Sequence, residues 1–255
     1  VLLVIDVGNT NTKVGLCDAD RVLVSWQLTT RREQTADEYG LFVETLLRTR
    51  GVTPAHITGV AISNVVPQVQ RALEEMAEKY FAATPLCVTA DLGAIPLDVD
   101  DPRAVGADRI VAGVAAVALY GAPAIVVDLG TATRFDCIDA RGRFIGGAIA
   151  PGIVVAADAL LSRAARLFRV ELVRPVRALG RDTMTNIQSG VVFGFAALID
   201  GLVARMREEM GGPPPVVVAT GGLAPLMGEV ARSIEHVNPD LKLEGLRLIH
   251  RRHGK

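Results

Sequence analysis

One short pattern occurs twice in this chain. Val4-Ile5-Asp6-Val7-Gly8-Asn9-Thr10 is echoed by Val126-Val127-Asp128-Leu129-Gly130-Thr131-Ala132, 122 residues further on. Each copy reads as a buried strand running into Asp-x-Gly, then a small hydroxyl or amide residue, then a second alternating segment. The offset is about half of the 255 residues, far longer than the ~20–50-residue period of a solenoid. Two halves built alike imply a duplicated α/β fold rather than one doubly wound sheet. Each lobe is expected to be a mixed sheet flanked by helices, with residues 1–120 carrying the first acidic turn and 121–255 the second.

Strand-length apolar runs open the chain (Val1 to Ile5) and recur at Gly59 to Ser63, Leu86 to Thr89, Ala124 to Val127 and Val216 to Thr220. Helical periodicity lies between them. Asp37 to Arg50 puts Tyr39, Phe42, Val43, Leu46 and Leu47 on one face. A second helix runs from Pro67, whose missing N–H costs nothing in a first turn, to Tyr80. Thr185 to Met210 reads as a long helix with possible breaks at Gly190 or Gly194. Strands alternating with helices are the mark of an α/β protein.

Composition narrows the function. With 27 basic and 28 acidic residues the net charge is -1, which lacks the basic stripe of a nucleic-acid binder. Aromatic residues make up 4%, too few for base-stacking platforms. Cys17, Cys87 and Cys137 form no disulfide framework, and His56, His236, His250 and His253 form no ligand cluster; a reducing, cytoplasmic setting fits. The uncharged stretch Ile110 to Val127 is at the lower edge of membrane-span length. Its alanines, Gly113, Gly121 and Pro123 fit a helix, a turn and a buried strand better, so no membrane is expected. The basic end, His250 to Lys255, reads as a solvated tail.

The acidic turns have chemistry of their own. A strand ending in Asp-x-Gly and folding back exposes backbone N–H groups at its tip. Gly8 permits a positive φ and lets a phosphate approach the backbone. Asn9, Thr10, Asn11 and Thr12 crowd amide and hydroxyl groups around it, Lys13 adds a positive charge for the β- and γ-phosphates, and Asp6 can hold hydrated Mg²⁺. Asn-Thr-Asn is also ordinary turn chemistry; the repetition at matching positions favours the phosphate reading. Neither a G-x-x-x-x-G-K-[ST] loop nor a strand-linked G-x-G-x-x-G is present.

The run Asp6-Val7-Gly8-Asn9-Thr10-Asn11-Thr12-Lys13 resembles the first phosphate motif of the actin/sugar-kinase/Hsp70 superfamily, in the form used by type III pantothenate kinases. Gly106-Ala107-Asp108-Arg109, then Asp128-Leu129-Gly130-Thr131-Ala132-Thr133, then Thr183 with Gln188-Ser189-Gly190 follow in family order. Gly147 to Gly152 and Ala219-Thr220-Gly221-Gly222 resemble the remaining glycine turns. The resemblance implies two actin-like (ribonuclease H-like) lobes and ATP-dependent phosphorylation of pantothenate to 4'-phosphopantothenate, the first step of coenzyme A synthesis. It further implies Mg²⁺, a monovalent cation (K⁺ or NH₄⁺) and a homodimer with its active site at the interface.

The same resemblance gives roles to residues. Residues Asp6 to Lys13 and Thr131 would bind ATP, and Gly106, Ala107, Asp108, Arg109 and Thr183 would bind pantothenate. Asp108 would be the general base, although a carboxylate starting an apolar helix also serves as a cap. Arg109 fits the substrate carboxylate, which a guanidinium grips with two hydrogen bonds; its alternative is a surface salt bridge. Asp128 would ligate the monovalent cation. Thr183 would reach substrate from the partner subunit, or else cap the long helix. The family usually has another threonine where this chain has Arg134, which shares a strand face with Asp136 and either pairs with it or reaches phosphate. Ile95 to Val105 offers no aromatic substrate contact. Two other readings stay open: a kinase of this superfamily for another small hydroxy acid, and an ATP-binding regulator without kinase activity.

Overall fold

The computed structural model describes residues 1–163 and 168–254. It contains two compact units, Val1–Ala115 joined by Asp240–Lys255, and Ala116–Pro239. The first holds β1 (Leu2–Val7), β2 (Asn11–Cys17), β3 (Val22–Thr29), α1 (Ala36–Arg48), β4 (Gly59–Asn64), α2 (Gln70–Phe81) and β5 (Leu86–Cys87). The boundary falls inside α3 (Ala107–Tyr120). The second unit holds β6 (Ala124–Leu129), β7 (Ala132–Ile138), β8 (Phe144–Pro151), α4 (Ile153–Arg163), α5 (Thr183–Met210), β9 (Val216–Thr220), α6 (Ala224–Gly228) and β10 (His236–Val237). A last helix, α7 (Leu241–His253), belongs to the first unit.

The expected duplication is present down to its irregularities. One sheet has the order β3-β2-β1-β4-β5 and the other β8-β7-β6-β9-β10. In each, the opening strand is antiparallel to its hairpin partner and parallel to the next neighbour. In both sheets the pairing of the second strand with the third slips by one residue, at Leu16/Cys17 opposite the extra Leu23 of β3 and at Cys137/Ile138 opposite the extra Ile145 of β8.

Alternation explains the packing of the opening strands. Leu3, Ile5 and Val7 face Val43 and Leu47 of α1 and Leu73 and Met76 of α2. The other face of β1 meets α7, whose Leu243 closes with Val4 on Gly15. Cover on both faces is why β1 reads as an unbroken apolar run. In the second unit Ile125 and Val127 pack with Ala157 of α4 and with Ile199 and Val203 of α5.

Helix starts follow their caps. Thr35 accepts from the Glu38 N–H at 3.3 Å while Glu38 accepts from the Thr35 N–H at 2.8 Å, a reciprocal box that starts α1. The expected helix from Pro67 begins as a short 3-10 turn, Pro67–Val69, before α2. The expected strand from Leu86 to Thr89 shortens to β5. Helix α5 runs unbroken through Gly190 and Gly194, because its stripe Ile187, Val191, Ile199 and Val203 is buried and tertiary packing outweighs glycine's local cost. Among the described residues α5 is the one helix long and apolar enough to cross a membrane; its buried stripe belongs to the core of the second unit. The stretch Ile110 to Val127 resolves, as expected, into α3, a turn and β6.

The C-terminus departs from the division at residue 120. Residues 240–254 form α7 and its flanks in the first unit instead of completing the second lobe. Leu241, Leu243, Leu246 and Ile249 are buried, and buried Arg247 donates to Glu244 at 2.8 Å and to the Ala19 carbonyl at 2.6 Å. A side chain at Gly245 would overlap the Val111 carbonyl of α3, so the absent Cβ sets how closely these helices approach. His250 is therefore no solvated end: it is half-buried, and burial pushes its imidazole pKa down. Lys255 lies outside the described residues.

Candidate functional site

In the first unit the hairpin between β1 and β2 is braced from inside. The Gly8 N–H donates to the Asn11 carbonyl at 3.0 Å. Thr30 donates its hydroxyl to the Gly8 carbonyl at 2.8 Å, meets the Thr12 hydroxyl at 2.9 Å, and donates its N–H to the Thr10 carbonyl at 2.9 Å. Thr30 was absent from the sequence reading, because nothing in the motif points to a residue one strand away. Gly8 does not use a positive φ, contrary to the sequence expectation. Its role is space, since a Cβ would sit 3.1 Å from the Asn11 carbonyl oxygen. Asn9, Thr10 and Asn11 remain exposed at the tip, while Val7 and Thr12 are buried.

Charges flank this tip. Asp6 is buried, with Lys242 of α7 at 3.0 Å from its Oδ2. Its Oδ1 has no hydrogen-bond partner among the described residues. Lys13 lies 2.7 Å from Asp240, just before α7. Asp240 and Lys242 thus join the site from more than 220 residues away, and no sequence motif announces them.

The segment Gly106 to Arg109 opens α3 beside the same strand ends. The Val65 N–H, following β4, donates to the Val7 carbonyl at 3.1 Å. A Cβ on Gly106 would come within 3.5 Å of the Val65 side chain and 2.8 Å of Asp108 Oδ1, so glycine leaves the room in which the Asp108 carboxylate sits. Asp108 is 5% exposed; Ala107 is buried and Arg109 half-buried. Ligands of α/β proteins gather outside the carboxyl ends of strands, and this is such an end.

The second unit repeats the turn in shorter form, with the Gly130 N–H donating to the Ala132 carbonyl at 3.1 Å and Thr131 exposed at the tip. Asp128 is buried and forms an ion pair with Arg134 on the facing strand. Asp128 is a partner for Arg134 beyond Asp136 and phosphate, and no sequence signal announced it. Gly221 adopts φ +93°, and a Cβ there would fall 2.9 Å from Asp128 Oδ1. Thr183 is the first residue of α5, but the cap is Asp182, which accepts from the Thr185 N–H at 2.8 Å. The capping alternative for Thr183 is thereby overturned; the side chain is exposed and lines a groove of about 550 Å³ with Ala156, Leu160, Asn186, Gly190 and Phe195.

Strand register extends the internal echo. Asp6 stands opposite Lys13 on β2 and Ser63 on β4; Asp128 stands opposite Arg134 on β7 and Thr220 on β9. Side chains in register on neighbouring strands share a face. Each unit thus gathers one buried acid, one cation and one buried hydroxyl, and the Ser63 and Thr220 hydroxyls lack partners among the described residues. A signal existed: both parallel strands read from sequence end in a hydroxyl residue.

Two copies of one sheet topology, each ending its first strand in a buried aspartate and a tight hairpin, define the actin-like fold of sugar kinases and related ATPases. Solved structures share it. A Campylobacter jejuni protein provisionally described as a Baf-family transcriptional activator superposes with a TM-score of 0.61 at 20% identity, covering 98% of each chain. A provisionally named N-acetylglucosamine kinase from Porphyromonas gingivalis gives 0.54 at 14% identity over 100% of both. Residues 2–205 match the family profile described as type III pantothenate kinase. A Moorella thermoacetica protein named type III pantothenate kinase is 47% identical over 253 residues, 99% of each chain. The chain belongs to the type III pantothenate kinase family.

Proposed function

We infer that the chain transfers the γ-phosphoryl group of ATP to pantothenate, giving 4'-phosphopantothenate for coenzyme A synthesis. Family membership over the full length supports the reaction. The observation that carries the assignment of roles is Asp108, a buried carboxylate in the first turn of α3, at the strand ends that also bear the Asp6–Lys13 hairpin.

The mechanism follows from what each group can do. The exposed hairpin tip, Asn9 to Asn11, with its backbone and side-chain donors, and the Lys13 ammonium bind the ATP phosphates, while Val7, Gly8 and Thr12 shape the turn that presents them. Thr131, exposed at the tip of the second turn, is the phosphate contact that the family resemblance implies in the second unit. Asp6 fits hydrated Mg²⁺, because its buried Oδ1 has no other partner among the described residues and magnesium takes few carboxylates and keeps its waters. Bound there, the ion would neutralise phosphate charge. Gly106 and Ala107 shape the acceptor site, Arg109 holds the pantothenate carboxylate with two parallel hydrogen bonds, and Asp108 takes the proton from the primary hydroxyl as it attacks. General-base help is worth ~10²–10⁴ in rate, and in-line positioning contributes at least as much.

The enzyme works as a homodimer in which Thr183 reaches the partner's substrate. Support comes from the groove at Thr183 and from exposed Val154, Val155, Leu160 and Met184 on α4 and α5. Its partners are ATP, pantothenate and its own copy, not nucleic acid or membrane, and it acts in the cytoplasm. A monovalent cation at Asp128 is what the family resemblance implies, but that carboxylate is paired with Arg134, and the residues present do not fit such a site.

The test is turnover with ATP, Mg²⁺ and pantothenate. Wild type should form 4'-phosphopantothenate, and Asp108→Asn should lose ~10²–10⁴ in kcat while still binding ATP·Mg. Binding of ATP with no transfer to any acceptor would refute the kinase reading in favour of a regulator.

A further inference from the structure

The Asp128–Arg134 pair is built into the sheet. The two residues are register partners on β6 and β7, so a guanidinium beside this carboxylate follows from backbone pairing. Side-chain exposures are 4% for Asp128 and 17% for Arg134. The carboxylate is hemmed in as well: Gly221 and Gly130 approach its Oδ1 so closely that their Cβ atoms would fall 2.9 and 3.7 Å away.

A guanidinium stays protonated at every physiological pH and presents fixed donors to a carboxylate. A buried acid held by such a group has already lost the net negative charge that would draw in a second cation, and a bound metal ion beside Arg134 would meet like charge. The first unit differs in its pairing: Lys13, in register with Asp6, meets Asp240, and Lys242 meets Asp6 through Oδ2, leaving Oδ1 without a hydrogen-bond partner among the described residues.

We propose that Arg134 is a resident replacement for a monovalent cation, and that this kinase turns over without K⁺ or NH₄⁺. The inference rests on the kinase reading above. Arg134 is a positioning residue: it neutralises Asp128 and thereby holds the β6–β7 turn with Thr131 in place for the phosphates.

The experiment measures 4'-phosphopantothenate formation in choline or Tris salts, with and without KCl or NH₄Cl, beside calorimetric titration of ATP·Mg in the same buffers. Wild type is expected to show the same rate and Kd within about twofold in all of them, as ionic strength is matched. Arg134→Thr should lose about 10–100-fold in choline, as when a supporting partner of a site is removed. KCl or NH₄Cl should restore it, while choline should not. Arg134→Lys should retain cation-independent turnover, which a purely structural role would not predict. A wild type inactive in choline and activated by K⁺ overturns the inference, whatever the variants do. Absence of product in every salt refutes the kinase reading and the inference with it, a result distinct from K⁺ dependence.

Discussion

Replacing Gly245 by alanine sets two physical effects of opposite sign against each other. In an isolated helix the change is favourable by ~1 kcal/mol, the difference in helix propensity. In this fold the added methyl would overlap the Val111 carbonyl oxygen and lie 2.6 Å from its carbon and 3.0 Å from Val111 Cα. Those atoms are helical backbone of α3, which no rotamer change can move. Overpacking costs ~1–3 kcal/mol, and an immobile neighbour puts this site at or beyond the upper end. The net expectation is a loss of about 2 kcal/mol, or roughly 4–8 °C in Tm for a chain of this size. The effect reaches the site as well, because α7 brings Lys242 to Asp6 and follows Asp240 at Lys13; KM for ATP should rise. Thermal and urea unfolding of G245A would be read against G201A, where the helical position is exposed and a Cβ meets nothing within 4 Å. G201A should be neutral or slightly more stable. G245A equal to or more stable than wild type would refute the close packing of α7 on α3.

Two further outcomes follow from single residues. Burial pushes the His250 pKa below its ordinary value, so the unfolded chain binds the proton more readily than the folded one. Stability from this group is complete above the unfolded pKa near ~6.5 and declines as pH falls below it toward the folded value. Urea midpoints from pH 8 to 5 should show this decline and His250→Gln should flatten it; an identical slope in the variant would count against the assignment. Removing the α5 cap with Asp182→Ala should cost about 1 kcal/mol and, by fraying the turn that carries Thr183, raise KM for pantothenate more than KM for ATP. Equal KM values in wild type and variant would separate Thr183 from the substrate.

Much of the architecture was legible because it rests on local pattern. The apolar runs at β1 and β6, the α1 stripe of Tyr39, Val43 and Leu47 (Phe42, read on the same face, is exposed) and the paired Asp-x-Gly turns survive in the fold, since burial on both faces of a central strand leaves a continuous apolar signature. Helix α7 was not legible. Its charged residues at 242, 244, 247 and 250–252 resemble a solvated end in one dimension, yet Arg247 is buried by partners at Glu244 and Ala19. Thr30 was missed for a similar reason: its three hydrogen bonds to the hairpin exist only once β3 lies beside β2.

The linear echo alone carried the duplication, the positions of Asp6 and Asp128, and the two phosphate-type turns. It also aligned Lys13 with Phe135, at the offset of 122, and so hid the second cation. Pairing in three dimensions made Arg134, not Phe135, the counterpart of Lys13: the first hairpin closes at Val7 and Thr12 and the second, one residue shorter, at Leu129 and Thr133. A change of one residue in turn length moves every following side chain to the other face of its strand. Which charge stands beside which acid is thus a property of hydrogen-bond register, which no alignment of one half against the other contains.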